Sequence, residues 1–161
     1  KYILSSDINI KETDQNFYFI SPDEELEVDG IRIKTLGSTD AGVAFLAEAD
    51  GISIFHAGDL NWWYWWDDTP EEIRTMEEAF KKEIHKLLGR KIDIGFFPVD
   101  PRLKHNYSLG GEYFIKEIKP DIFIPMHFGE DYEALQSFAE KVKQYPTKVI
   151  PITAKGQIIE L

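Results

Sequence analysis

Ile92-Asp93-Ile94-Gly95-Phe96-Phe97, running on through Pro98-Val99 to Asp100-Pro101-Arg102, is the stretch that decides the architecture. A nearly continuous apolar run of this kind reads as a strand buried on both faces, as in parallel sheets. C-terminal to it, a helix is expected from about Leu109 to Ile118, stopped before Pro120, with Ser108-Leu109-Gly110-Gly111 as its start. Ile122 to Pro125 reads as a second buried strand. A third helix follows with Leu135, Phe138 and Val142 inward, and Val149 to Ile152 and Gln157 to Leu161 read as closing strands around Lys155-Gly156.

On the N-terminal side, Thr69-Pro70-Glu71-Glu72 combines an N-cap, a proline at the first helical position and a capping-box glutamate. Ile73, Met76, Phe80, Ile84, Leu87 and Leu88 follow at helical spacing up to Gly89, and His85 lies off that stripe as a solvated side chain. Before this helix the pattern is strand-like. Phe17 to Ile20 is closed by Ser21-Pro22-Asp23, Ile31 and Ile33 alternate with Arg32 and Lys34, and Ala41 to Glu48 and Ile52 to His56 flank Asp50-Gly51 as a hairpin. Hairpins followed by strand–helix–strand–helix–strand give an α/β fold, a mixed sheet covered by three helices in a single domain.

The 161 residues suffice for one domain with a sizeable core but not for two large ones. With 18 basic and 29 acidic side chains the formal net charge is −11, which disfavours nucleic acid and anionic membranes as partners. No apolar run approaches ~20 residues, so no spanning helix is expected. There is no cysteine, which leaves imidazole and carboxylate as the groups able to hold a metal. Lys1 opens directly into Tyr2-Ile3-Leu4 without a leader pattern, which reads as the interior of a longer, cytoplasmic protein truncated at its N-terminus.

Three strand ends carry polar groups: Asp59 after Phe55-His56-Ala57-Gly58, Asp100 and Arg102 after Phe97-Pro98-Val99, and His127 after Ile124-Pro125-Met126. Ligand sites in α/β sheets lie beyond the carboxyl ends of the strands, so Asp59, Asp100, His105 and His127 are candidates to converge. Taken singly, an aspartate after glycine is a turn residue and a histidine after a strand is a hydrogen-bonded loop residue; together they describe a site.

Phe55-His56-Ala57-Gly58-Asp59 and Ile124-Pro125-Met126-His127-Phe128 resemble the two C-terminal metal motifs of the metallo-β-lactamase superfamily, in its branch of metal-dependent hydrolases that includes ascorbate-phosphate lactonase-like proteins. The resemblance runs from about Ile31 onward. It implies a four-layer αββα sandwich of which this chain is the C-terminal portion, with Asp59 and His127 as metal ligands. Asp59 would bridge two divalent ions, zinc first and manganese or iron as alternatives, in the intact parent. The family's His-x-His-x-Asp-His signature is absent, and Ser38-Thr39-Asp40-Ala41-Gly42 stands where many members carry a middle histidine, with Ser38 in its place and Asp40 as a compensating carboxylate. The implied reaction is attack of a metal-activated water on an ester, lactone or phosphoester. Two ligands are too few to hold even one ion firmly, so this chain alone is expected to bind metal weakly and to show little activity.

Two further segments flank this pattern. Asn61-Trp62-Trp63-Tyr64-Trp65-Trp66 holds all four tryptophans and reads either as packing that anchors a loop or as an aromatic wall in which Trp62 and Trp63 receive substrate. Between Asp100 and Tyr107, Arg102 is open to two roles, an anion-binding lip or a salt bridge to Asp100; His105 reads as a proton donor to a leaving group or as a surface residue. The rival to a hydrolase is a non-catalytic binding domain of the same fold that has lost its metal. Small-molecule substrate is the expected ligand. Apolar sheet surface left uncovered costs ~25 cal/mol per Å² in water, so association with a second copy or with a missing N-terminal half is expected.

Overall fold

The computed structural model describes residues 1–10 and 16–160 and bears out the mixed sheet with three outer helices. Seven strands lie side by side in chain order: β3 (Glu25–Val28), β4 (Ile31–Leu36), β5 (Ala44–Ala49), β6 (Ile52–His56), β7 (Ile94–Pro98), β8 (Ile122–Met126) and β9 (Lys148–Val149). Pairing is antiparallel from β3 to β6 and parallel from β6 to β9. A separate two-stranded parallel sheet joins β1 (Tyr2–Ser5) to β2 (Phe17–Ile20).

The antiparallel half is built by tight turns. Asp50 and Gly51 both have positive φ, 52° and 78°, the combination that a two-residue turn between twisted strands demands. β3 is a strand that the sequence conceals: in Glu-Leu-Glu-Val the glutamates mask the alternation, and they suit an edge position, where charge blocks further pairing.

The parallel half is built by helices. α1 (Pro70–His85) starts on the expected capping box, with Thr69 and Glu72 bonded reciprocally. It ends at His85, earlier than the apolar stripe predicts, so Leu87 still reaches the core while Leu88 turns out to 49% exposure. His85 is exposed but not idle, since its Nε2 lies 2.8 Å from the Tyr113 hydroxyl. α2 (Leu109–Ile118) and α3 (Tyr132–Val142) fall where the sequence places them, with Leu135, Phe138 and Val142 buried. All three helices share one core with one face of the sheet, centred on Phe55, Phe97, Phe114 and Phe123. By strand alternation Phe45, Ile54 and Phe96 point to the opposite face, where they are half-buried.

The end of the chain differs from expectation. The ladder stops at Val149, and Pro151 has no N–H with which to extend it. No strand forms over residues 157–160, because the Thr153 N–H and hydroxyl donate to Gln157 Oε1 at 2.7 and 2.9 Å and fold the tail into a local turn; Leu161 lies outside the described residues. Among those residues no helix is long and apolar enough to cross a membrane.

Candidate functional site

Because β6, β7 and β8 are parallel, their carboxyl ends open on the same edge, and the residues after them meet there. After β6, Ala57 stays in the ladder through a bond from its N–H to Phe96 O (2.9 Å), and Gly58 then turns at φ +57° to present Asp59. After β7, the Val99 N–H bonds to Met126 O at 2.9 Å and Asp100 follows, fully buried. After β8, His127 takes a left-handed backbone conformation, φ +67°. Such a conformation is uncommon for a residue with a Cβ and frequent at functional sites.

Asp100 organises what surrounds it. Its Oδ1 accepts from the Arg102 backbone N–H at 2.9 Å; its two oxygens accept from Arg102 Nε at 3.0 Å each, and Oδ2 accepts from Nη2 at 2.6 Å. The same Oδ2 lies 2.9 Å from His127 Nδ1. Burial pushes the Asp100 carboxyl up, but the bonds from Arg102 and His127 outweigh it and hold the group below the usual carboxylate range. An anionic Asp100 takes the proton of His127 Nδ1, and Nε2 faces outward, towards Asp59.

Asp59 Oδ1 lies 3.5 Å from that nitrogen. The close approach of these two atoms is satisfied by a proton on Nε2 or by a cation between them. Donors on adjacent corners of a tetrahedron, bonded to one ion at about 2.1 Å, stand about 3.4 Å apart. The pair fits two ligands of a single divalent cation. A carboxylate behind the imidazole is the usual second layer of such sites. Among the described residues, no group of three or more His, Asp or Glu side chains is placed to hold an ion, so the fit stops at two donors.

The tryptophan loop wraps this pair. The indole N–H of Trp63 donates to Asp59 O at 2.9 Å, its ring is 4% exposed, and it meets the His127 ring edge-on with centroids 5.3 Å apart. Trp65 stacks on Trp63 at 6.0 Å, and the Arg102 guanidinium lies over Trp65 at 5.6 Å. Trp63, Trp65, Arg102, Asp100 and His127 therefore form a closed circuit of contacts. Trp65 is the member that sequence reasoning does not single out, since only the course of the loop decides which of four rings meets the guanidinium. Trp62 goes elsewhere. Its ring turns into the helix layer against Phe80 and Tyr113, with Lys81 above it.

The remaining candidates lie further out. His105 is exposed on the 3-10 segment Pro101–Asn106 and does not line the cleft beside His127. Ser38 uses its hydroxyl to accept from the Asp40 N–H at 3.2 Å. Thr39 clamps Asn61, accepting from its N–H at 3.0 Å and donating to its carbonyl at 2.7 Å, which brings this segment beside the Asp59 turn. The Asp40 carboxylate acts at a distance: with Asp100 first, then Asp40 and Asp59, it adds to the field that raises the Arg102 pKa. His56 is exposed at its strand tip, where Nδ1 accepts from the Gly58 N–H at 3.1 Å; partial desolvation of its ring, one side of which stacks on Phe96, lowers its pKa.

No family model and no curated protein matches the sequence. Solved structures do. A protein from Thermotoga maritima described as a Zn-dependent hydrolase of the metallo-β-lactamase superfamily superposes with a TM-score of 0.55 over 86% of this chain and 68% of its own, at 18% identity. A protein from Parabacteroides distasonis described as a metal-dependent hydrolase gives 0.59 over 92% of this chain and 62% of its own, at 16% identity. The chain has the metallo-β-lactamase fold. It spans about two thirds of the length of these two structures. The same fold also carries other chemistry, as in CmlA, a diiron β-hydroxylase from Streptomyces venezuelae (TM-score 0.53, 9% identity, 84% of this chain and 33% of that one). In the metallo-β-lactamase fold seen here, the parallel half of the sheet presents Asp59 and His127 from its strand tips.

Proposed function

We propose that this chain is part of a metal-dependent hydrolase acting on an ester, lactone or phosphoester. The observation that carries the reading is the opposition of Asp59 Oδ1 and His127 Nε2 across 3.5 Å, with Nδ1 tied to a buried carboxylate. Asp59 and His127 would hold a divalent ion, zinc being the best match to an N/O donor pair and manganese or iron the alternatives. Such an ion supplies a water acidified from about 15.7 towards about 7. Asp100 fixes the imidazole tautomer, Trp63 excludes water from one side of the ring, and Arg102 lies where a substrate's charge would be met. His105, solvent-exposed on the neighbouring segment, would reach a leaving group only by moving towards the cleft. Further ligands for the ion, and a ligand set for a second ion of a dinuclear centre, are required beyond the two donors that the described residues bring together.

Zinc titration of the chain, followed by calorimetry and by the His127 ring resonances, tests this. We expect binding weaker than micromolar that shifts His127 and disappears in Asp59→Asn. Zinc that leaves His127 unmoved, or binds Asp59→Asn equally well, overturns the assignment. A second reading, a non-catalytic binding domain of this fold, draws on the two-donor limit and on Ser38 in place of a histidine; it predicts no response of His127 to any divalent ion. The half-buried face carrying Phe45, Ile54 and Phe96 supports association, so the isolated chain should sediment as more than a monomer.

A further inference from the structure

Beside His127 opens a cleft of about 1170 Å³, lined among others by Asp100, Arg102, Phe128, Tyr132 and Glu133. Its lining combines two chemistries. Arg102 is the one guanidinium or ammonium group among the described residues that line it. Phe128 and Tyr132 form an aromatic corner, with centroids 5.6 Å apart and planes at 57°. Of the acids on the rim, Glu130 is paired to Lys155 at 2.5 Å, and Asp131 accepts from the Ala134 N–H at 3.0 Å as the cap of α3.

Arg102 is held in place before any ligand arrives. Asp100 fixes Nε and Nη2, and Trp65 supports the plane of the group, yet the side chain remains 63% exposed and Nη1 makes no hydrogen bond among the described residues. A guanidinium fixed on one edge and open on the other is pre-organised for an oxyanion. Its distance from the reacting centre is set by a shared atom, since Asp100 Oδ2 touches both Nη2 of Arg102 and Nδ1 of His127.

We propose that this cleft selects small anionic esters, an aryl or alkyl body resting on Phe128 and Tyr132 and a carboxylate or phosphate group held by Arg102 Nη1 beside His127. The inference deepens the hydrolase reading and rests on it for the word ester; the anion seat itself stands on Arg102 alone. Asp59, Asp100 and Asp40 oppose an anion, as do Glu130, Asp131 and Glu133 of the cleft lining, so affinity in the ion-free chain is low. Removing the Asp59 charge imitates part of what a bound cation would do.

The test uses phenyl phosphate, benzoate, inorganic phosphate and benzylammonium as probes, with binding read from the Arg102 Nε–H and the Trp63 and Trp65 indole N–H resonances. Phenyl phosphate and benzoate should bind in the millimolar range, and whichever binds tighter identifies the anionic group. Arg102→Met should weaken both about tenfold, with Arg102→Lys, which keeps the charge and the partner of Asp100, falling between. Phe128→Ala should weaken phenyl phosphate and leave inorganic phosphate unchanged. Asp59→Asn should tighten the anions severalfold. Benzylammonium binding as well as phenyl phosphate, or an Arg102→Met protein that binds anions undiminished, overturns the proposal. If zinc fails to touch His127 while the anions bind through Arg102, the seat stands and the hydrolase reading falls.

Discussion

Oδ2 of Asp100 lies 2.9 Å from Nδ1 of His127, and Asp100 is wholly buried. This single contact fixes which nitrogen of the imidazole faces Asp59, and it links the strand tips of β7 and β8 at the point where their ladder ends. Because the same carboxylate grips Arg102, the histidine and the arginine cannot be oriented independently.

Asp100→Ala should therefore cost more than the loss of one surface ion pair. It strands His127 Nδ1 and the Arg102 fork, and bonds to a charged group are worth about 1.5–3 kcal/mol. We expect urea unfolding to show a loss of about 2–3 kcal/mol of stability, with the hydrogen-bonded Nδ1 proton of His127 lost from the NMR spectrum. Asp100→Asn should lose less stability, because one acceptor oxygen remains.

Gly58 is the residue on which the Asp59 turn depends. Its φ is +57°, and a Cβ built there would stand 2.8 Å from the Val43 carbonyl oxygen, which is backbone and cannot step aside. Gly58→Ala should destabilise by well over 1 kcal/mol. Gly51→Ala, at φ +78° with nothing within 4 Å, should cost about 1 kcal/mol. Thermal melts of the two variants, side by side, separate close approach from conformational strain.

Trp62 should behave as a core residue. Its indole N–H is buried without a hydrogen-bond partner among the described residues, so Trp62→Phe removes that donor while keeping a ring against Phe80 and Tyr113, and we expect a loss under about 1.5 kcal/mol. Trp62→Ala should cost about 3–5 kcal/mol. Neither should alter the response of His127 to zinc. A changed response would place Trp62 in the site after all.

Acid stability should report Asp93, far from the cleft. Lys91 first, then the Ser53 N–H and hydroxyl at 2.7 and 2.9 Å, depress its pKa to about 2. A carboxyl near 3.9 when unfolded and near 2 when folded stabilises fully above about pH 4 and loses that contribution as pH falls through about 2. Denaturant melts of Asp93→Asn should show a lower stability at neutral pH and a flatter profile between about pH 4 and pH 2 than the wild type. Equal slopes in that window would refute the assignment.

The parallel half of the fold was legible because buried strands and amphipathic helices announce themselves by periodicity, and Thr69, Pro120 and the Asp50-Gly51 pair mark where elements start and stop. β3 was hidden because its glutamates alternate with apolar residues on an edge, and the tail after Val149 was overread because apolar residues there meet a proline and a side-chain-locked turn. At the site, strand-end position brought forward Asp59, Asp100, His105 and His127 together, of which His105 stays outside the cleft, and the pairing of Asp59 with His127 was what the family resemblance implied. Strand-end position did not reveal the tryptophan loop. Trp62 and Trp63 are adjacent and chemically identical, and only the path of the backbone sends one into the helix layer and the other against His127. Nor did it separate two roles for Arg102, because the ion pair with Asp100 is what holds the guanidinium ready in the cleft.

The order of strands has a consequence for how the protein matures. Turns can close β4, β5 and β6 early, but β6 meets β7 only after all of α1 has been made, and β8 joins later still. Pairings of such long reach form slowly. A nascent chain halted before Met126 would already display its aspartate with no imidazole to set against it. The opposition of Asp59 and His127 is therefore completed late, when β8 docks on β7.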